Sequence, residues 1–61
     1  MTNEHIKRFK NCIGRELGLR KRVYPKWVIS GRMKQETADT EIATMSEIYE
    51  YFKGLDAQNE S

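Results

Sequence analysis

The side chains able to do covalent or metal chemistry are few and poorly placed for it. In 61 residues His5 is the only histidine and Cys12 the only cysteine. A Cys–His nucleophile needs a shaped pocket and a third group to orient the base. A pair seven residues apart on one short helix has neither, so no catalytic residue is expected and the chain is not read as an enzyme. One Cys and one His cannot make a Cys/His metal cluster, and one Cys cannot close a disulfide within the chain. No cofactor is expected. What remains is recognition chemistry, concentrated between Glu16 and Met33. There the run Arg20-Lys21-Arg22, with Arg15 and Lys26, has the charge to contact phosphates. Equally, those bases can pair with acids elsewhere in the chain. Tyr24-Pro25-Lys26-Trp27 interleaves aromatics with a base, which suits stacking on nucleobases or anchoring a protein partner. The plainer alternative has Tyr24 and Trp27 in a core and Lys26 in water. Arg22, Lys26 and Arg32, supported from beneath by Tyr24 and Trp27, are the candidate partner-binding residues.

The elements that must position them are helical. Ile6, Phe9, Ile13, Leu17, Tyr24 and Trp27 or Val28 recur in steps of three, four and seven. On a wheel of about 100° per residue they share one stripe, which also takes in Arg20. Arg20 either pairs with Glu16 or Glu41 to set register or carries its head out to solvent. Gly14 and Gly18 weaken the helix or admit a neighbour's close approach. Pro25 would cost about 3 kcal/mol inside a helix. It therefore either kinks one continuous helix or separates two, standing at the first position of the second. Ser30-Gly31 ends the element. Ala38, Ile42, Met45, Tyr49 and Phe52 then step by four, three, four and three, a heptad seam. Lys53-Gly54 reads as a stop.

The predicted fold is an all-α antiparallel two-helix hairpin with a Pro kink or break near Pro25. Residues 1–53 form the hairpin: helix one over about 4–30, a turn at 31–33 and helix two over about 34–53. Residues 54–61 are expected to be a polar tail. A turn this short makes the helices antiparallel neighbours. Facing residues then have numbers that sum to about 65: Trp27 with Ala38, Tyr24 with Ile42, Arg20 with Met45, Leu17 with Tyr49, Ile13 with Phe52. The net charge of +2 hides an asymmetry. Residues 1–34 carry ten bases against Glu4 and Glu16, whereas residues 35–61 carry seven acids against Lys53. A basic helix lying along an acidic one is the expected consequence.

A chain of this size buries only about 60% of its unfolded surface and needs reinforcement. A second stripe indicates where that comes from. Helix one carries Cys12, Leu19 and Val23 on it, and helix two carries Thr37, Thr44, Ile48, Tyr51 and Leu55. A hairpin buries one face only, so Cys12, Leu19, Val23, Thr44, Ile48, Tyr51 and Leu55 are expected to form a homodimer interface, giving a four-helix bundle. No apolar run approaches the roughly 18 to 20 residues of a membrane span, and the first residues lack the apolar core of a signal peptide. A cytoplasmic protein with no membrane partner is expected, and the unpaired cysteine suits a reducing compartment.

Glu16-Leu17, Arg20, Arg22-Val23-Tyr24-Pro25-Lys26-Trp27-Val28, Gly31-Arg32-Met33, Ala38, Glu41-Ile42, Met45 and Ile48 together resemble a family of small phage and prophage proteins of unassigned function. The likeness covers roughly residues 16–51. Lys34 stands where a better capping residue would be expected. The resemblance implies a viral or prophage origin and a bacterial host cytoplasm, but no activity and no binding residues. The leading expectation is an accessory protein that binds a host or phage protein and inhibits or redirects it. The alternatives are a nucleic-acid-binding regulator using the basic helix, and a small structural component of an assembly.

Overall fold

The computed structural model describes residues 2–60 as two helices, α1 (Asn3–Ile29) and α2 (Gln35–Glu60), packed against each other. The hairpin is a rod of 45 × 15 × 15 Å. Thr2 caps α1, its hydroxyl accepting the His5 amide at 3.2 Å while its carbonyl accepts Ile6 N at 3.0 Å. That satisfies amides which a helix start otherwise leaves without partners.

Pro25 lies inside α1, and the helix does not stop there. The break that the sequence allows is therefore not present. Tyr24, the residue Pro25 pushes away from helical angles, is buried, and Leu17 one stripe position earlier is buried too. Keeping both on the packing face outweighs the lost hydrogen bond. The helix ends at Ser30, and Gly31 follows at φ 81°, a left-handed conformation that a side chain would resist. Arg32 N and Met33 N both donate to Trp27 O, at 2.8 and 3.3 Å. The Lys34 carbonyl accepts Ala38 N at 3.0 Å and opens α2.

The C-terminal stretch departs from the expected pattern. Gly54 does not end α2; the helix continues to Glu60, so residues 54–60 are not a tail. Ser61 lies outside the described residues. Leu55 is half-buried, and Asp56 is the only buried charged residue among those described. Lys10 Nζ donates to Asp56 Oδ2 at 2.6 Å, and Lys7 Nζ lies 2.9 Å from Oδ1. This clip ties the last turns of α2 to the first turns of α1, against the helix-breaking preference of Gly54.

The core is thin. Among the described residues Ile6, Leu17, Tyr24 and Ala38 are its buried apolar members, and no large side chain is fully enclosed. Two contacts fix how the helices face each other. Phe9 meets Phe52, with ring centroids 5.7 Å apart and edge to face. Tyr49 packs over Gly14: a Cβ on Gly14 would lie 3.0 Å from the Tyr49 ring. Gly14 is thus a close-approach glycine, while nothing lies within 4 Å of the equivalent point on Gly18. Trp27 remains 38% exposed at the rim, its ring 5.6 Å from that of Tyr24.

Candidate functional site

Around α1, starting from Tyr24 and turning about 100° per residue, Phe9 and Trp27 lie about 60° to one side, Val23 about 100°, Cys12 about 120° and Leu19 about 140°. Around α2, starting from Ala38, Phe52 lies about 40° to one side, Ile48 about 80°, Leu55 about 100°, Thr44 about 120° and Tyr51 about 140°. Antiparallel packing turns these two flanks toward the same side of the hairpin. Contacts between side chains agree: Phe9 meets Phe52 across the helices, and Phe52 meets Tyr51 at 5.4 Å.

The result is one broad, largely apolar face running the length of the rod. Six of the seven residues expected at a dimer interface present apolar surface there. Leu19 (45%), Ile48 (39%) and Tyr51 (64%) are exposed, Val23 and Leu55 are half-buried, and Cys12 is an exposed free thiol. Thr44 is exposed on the same flank, its hydroxyl donating back to Thr40 O at 2.8 Å. Phe9, Phe52 and Trp27 also belong to this face, although their spacing alone assigns them to the core. They sit at the edge of the packing stripe, where 3.6-residue periodicity cannot tell inner from outer. Near the turn the face is hollowed into an open groove of about 330 Å³, lined by Glu16, Leu19, Arg20, Val23, Tyr24 and Trp27.

Arg20 occupies the rim of that groove. Its Nε donates to Glu16 Oε1 at 3.3 Å, a guanidinium nitrogen lies 3.6 Å from Glu41 Oε2, and Cζ sits 6.0 Å from the Tyr24 ring centroid. Both carboxylates expected as its partners are engaged at once, and the arginine is half-buried rather than enclosed.

The other cations go elsewhere. Arg8, Arg15, Arg22 and Lys26 all lie within roughly 20° of the point opposite Tyr24 on α1, at the outer edge of the rod. All four are exposed. Among the described residues, Arg20–Glu41 and the Asp56 clip are ion pairs that join the two helices. The row opposite Tyr24 stands apart from that pairing. The cause is geometric: with apolar residues at the seam, a charge opposite the seam cannot reach the neighbouring helix. On α2 the outer edge is acidic, with Glu47 opposite Ala38, and Glu36 about 20° and Glu50 about 60° from it on the side away from the apolar face. The rod thus has a basic edge, an acidic edge and an apolar face between them.

The five residues expected to bind a partner do not form one patch. Tyr24 is buried, Trp27 borders the apolar groove, Arg22 and Lys26 are on the basic edge, and Arg32 is exposed in the turn. No group of three or more His, Cys, Asp or Glu side chains gathers among the described residues, and no helix is long and apolar enough to cross a membrane. Compared with family models, with curated proteins and with solved structures, the chain gives no match.

Proposed function

We propose that the protein is a non-enzymatic helical interaction module that works as a homodimer, its apolar face covered by a second copy in a four-helix bundle. The observation that carries this reading is the exposure of Phe9, Leu19, Trp27, Ile48 and Tyr51 on one flank of the hairpin. The size of the exposed surface supports it. The rod's accessible surface is 4693 Å², whereas a globular monomer of its mass would expose about 4,100 Å². Pairing apolar faces would remove surface of the order that specific interfaces bury, about 800 Å² per partner.

In this reading Arg22, on the side of the basic edge away from the apolar face, and Arg32 in the turn remain available for a host or phage protein of acidic character, which the dimer inhibits or redirects. A bend at Pro25 would set the angle between the turn and the rest of the bundle. The viral origin and the setting in a bacterial cytoplasm rest on the motif of residues 16–51. Sedimentation equilibrium tests the core of the proposal. A mass twice 7.2 kDa at micromolar concentration is expected; a folded monomer overturns it.

One observation favours a second reading, a nucleic-acid-binding regulator. Arg8, Arg15 and Arg22 repeat every seven residues, about 10.5 Å apart along the helix, with Lys26 completing the row. If all four bind phosphates of one duplex, log K should fall with log salt at a slope of about −3 to −4. No binding to random duplex DNA at low salt removes this reading and leaves the protein-partner one.

A further inference from the structure

Two copies of a flat hairpin can cover their apolar faces in two symmetric ways. A twofold axis parallel to the helices lays each α1 over the partner's α2 and brings both turns to the same end. A twofold axis across the rod lays α1 over α1 and α2 over α2, with the turns at opposite ends. Each interface is the same patch on both copies, so the choice falls to what flanks it.

Charge at the outer edges differs sharply between the two. In the crosswise arrangement the row Arg8, Arg15, Arg22 and Lys26 runs beside its own copy, and Glu36 and Glu47 run beside theirs. Like charges facing across an interface suppress that pairing. In the lengthwise arrangement each basic edge runs beside a partner's acidic edge. The level of each residue follows from the register within one hairpin, where Phe9 faces Phe52 and Gly14 faces Tyr49. A lengthwise axis preserves level between copies. Arg15 then stands at the level of Glu47 and Lys26 at the level of Glu36. On the apolar face Cys12 meets the level of Tyr51, and Leu19 that of Thr44.

We infer that the dimer has its twofold axis parallel to the helices, with each α1 packed on the partner's α2, both turns at one end, and Arg15–Glu47 and Lys26–Glu36 pairs closing its sides. This rests on the proposed dimer and specifies its partner surface. It also decides the fate of the basic row: Arg15 and Lys26 are matched by the partner's acids, and the row is not doubled into a single basic face.

The test uses the full chain carrying Cys12→Ser and Lys34→Cys, with a nitroxide label on the new thiol in the turn. Lys34 is exposed and its side chain has no part in the proposed contacts. Sedimentation is read first: a monomer overturns the dimer reading itself. For a dimer, pulsed electron paramagnetic resonance then measures the label-to-label distance. With helices about 10 Å apart, the lengthwise axis gives roughly 10–25 Å. The crosswise axis gives a distance close to the rod's 45 Å length, and that result overturns the inference while the dimer stands. A charge swap gives an independent sign. Arg15→Glu should weaken dimerisation on the order of tenfold, since each dimer loses two pairs, and Glu47→Arg in the same chain should restore it. Tighter association of Arg15→Glu alone, through relieved repulsion, overturns the inference.

Discussion

Asp56 is the residue least visible in the sequence and most consequential for how the chain closes. It follows Gly54 in a polar stretch, so pattern reading assigns it to a tail; nothing local announces that Lys7 and Lys10, almost fifty residues earlier, will meet it. Hydrogen bonds from Lys10 and then Lys7 hold its carboxyl below the ordinary value of 3.8, against the opposing effect of burial. A carboxylate whose folded-state pKa is depressed stabilises the fold above its unfolded pKa and loses that contribution as pH falls through the folded value. Stability should therefore be level in this respect above about pH 4 and decline below 3.8. Asp56→Asn should lower the melting temperature at pH 7 and flatten the decline in acid. Equal acid sensitivity in the variant and the parent chain, followed by circular dichroism, would show that the clip contributes nothing. Arg20 is the contrasting case. Its place within an apolar stripe, one turn from Glu16, makes its pairing legible in the sequence.

At the scale of elements, the helical periodicity, the turn at Gly31 and the antiparallel pairing are all legible, because each follows from local pattern and a short connection. Two features are not. Whether a helix survives an internal Pro depends on tertiary contacts, here the burial of Leu17 and Tyr24 on one continuous stripe. Whether a Gly stops a helix depends on what lies beyond it, here Leu55 and Asp56. Two substitutions separate these accounts. Gly54→Ala should stabilise the protein by about 1 kcal/mol, because Ala is the better helix former and no atom lies within 4 Å of its added methyl. Had Gly54 been a left-handed cap, the same change would destabilise. Pro25→Ala should add roughly 1–3 kcal/mol by restoring a helical hydrogen bond. At the start of a separate helix it would be neutral or worse. Urea denaturation of both variants reads the two signs.

For the whole molecule, the decisive fact is that the hairpin has one seam and two chemically different sides. Heptad spacing reveals a seam and a second stripe, but not that Phe9, Phe52 and Trp27 straddle both, nor that Lys7 and Lys10 reach across to α2. Those depend on how the two helices face each other, which neither helix's own spacing contains. Four buried apolar residues are a small reserve against the backbone entropy of about sixty ordered residues. Folding and association should accordingly be a single event, so that the melting temperature depends on protein concentration. For a dimer of two 61-residue chains, the unfolding entropy is about 0.26 kcal/mol/K. A tenfold rise in concentration adds about 1.4 kcal/mol to stability and should therefore raise the melting temperature by about 5 °C. Ile48→Glu puts a charge in the middle of the apolar face without touching the buried seam residues. It should abolish that concentration dependence and leave a chain that melts at low temperature or does not fold. A parent protein whose melting temperature stays constant over a hundredfold range of concentration folds without a partner, and the apolar face would then need an occupant other than a second copy.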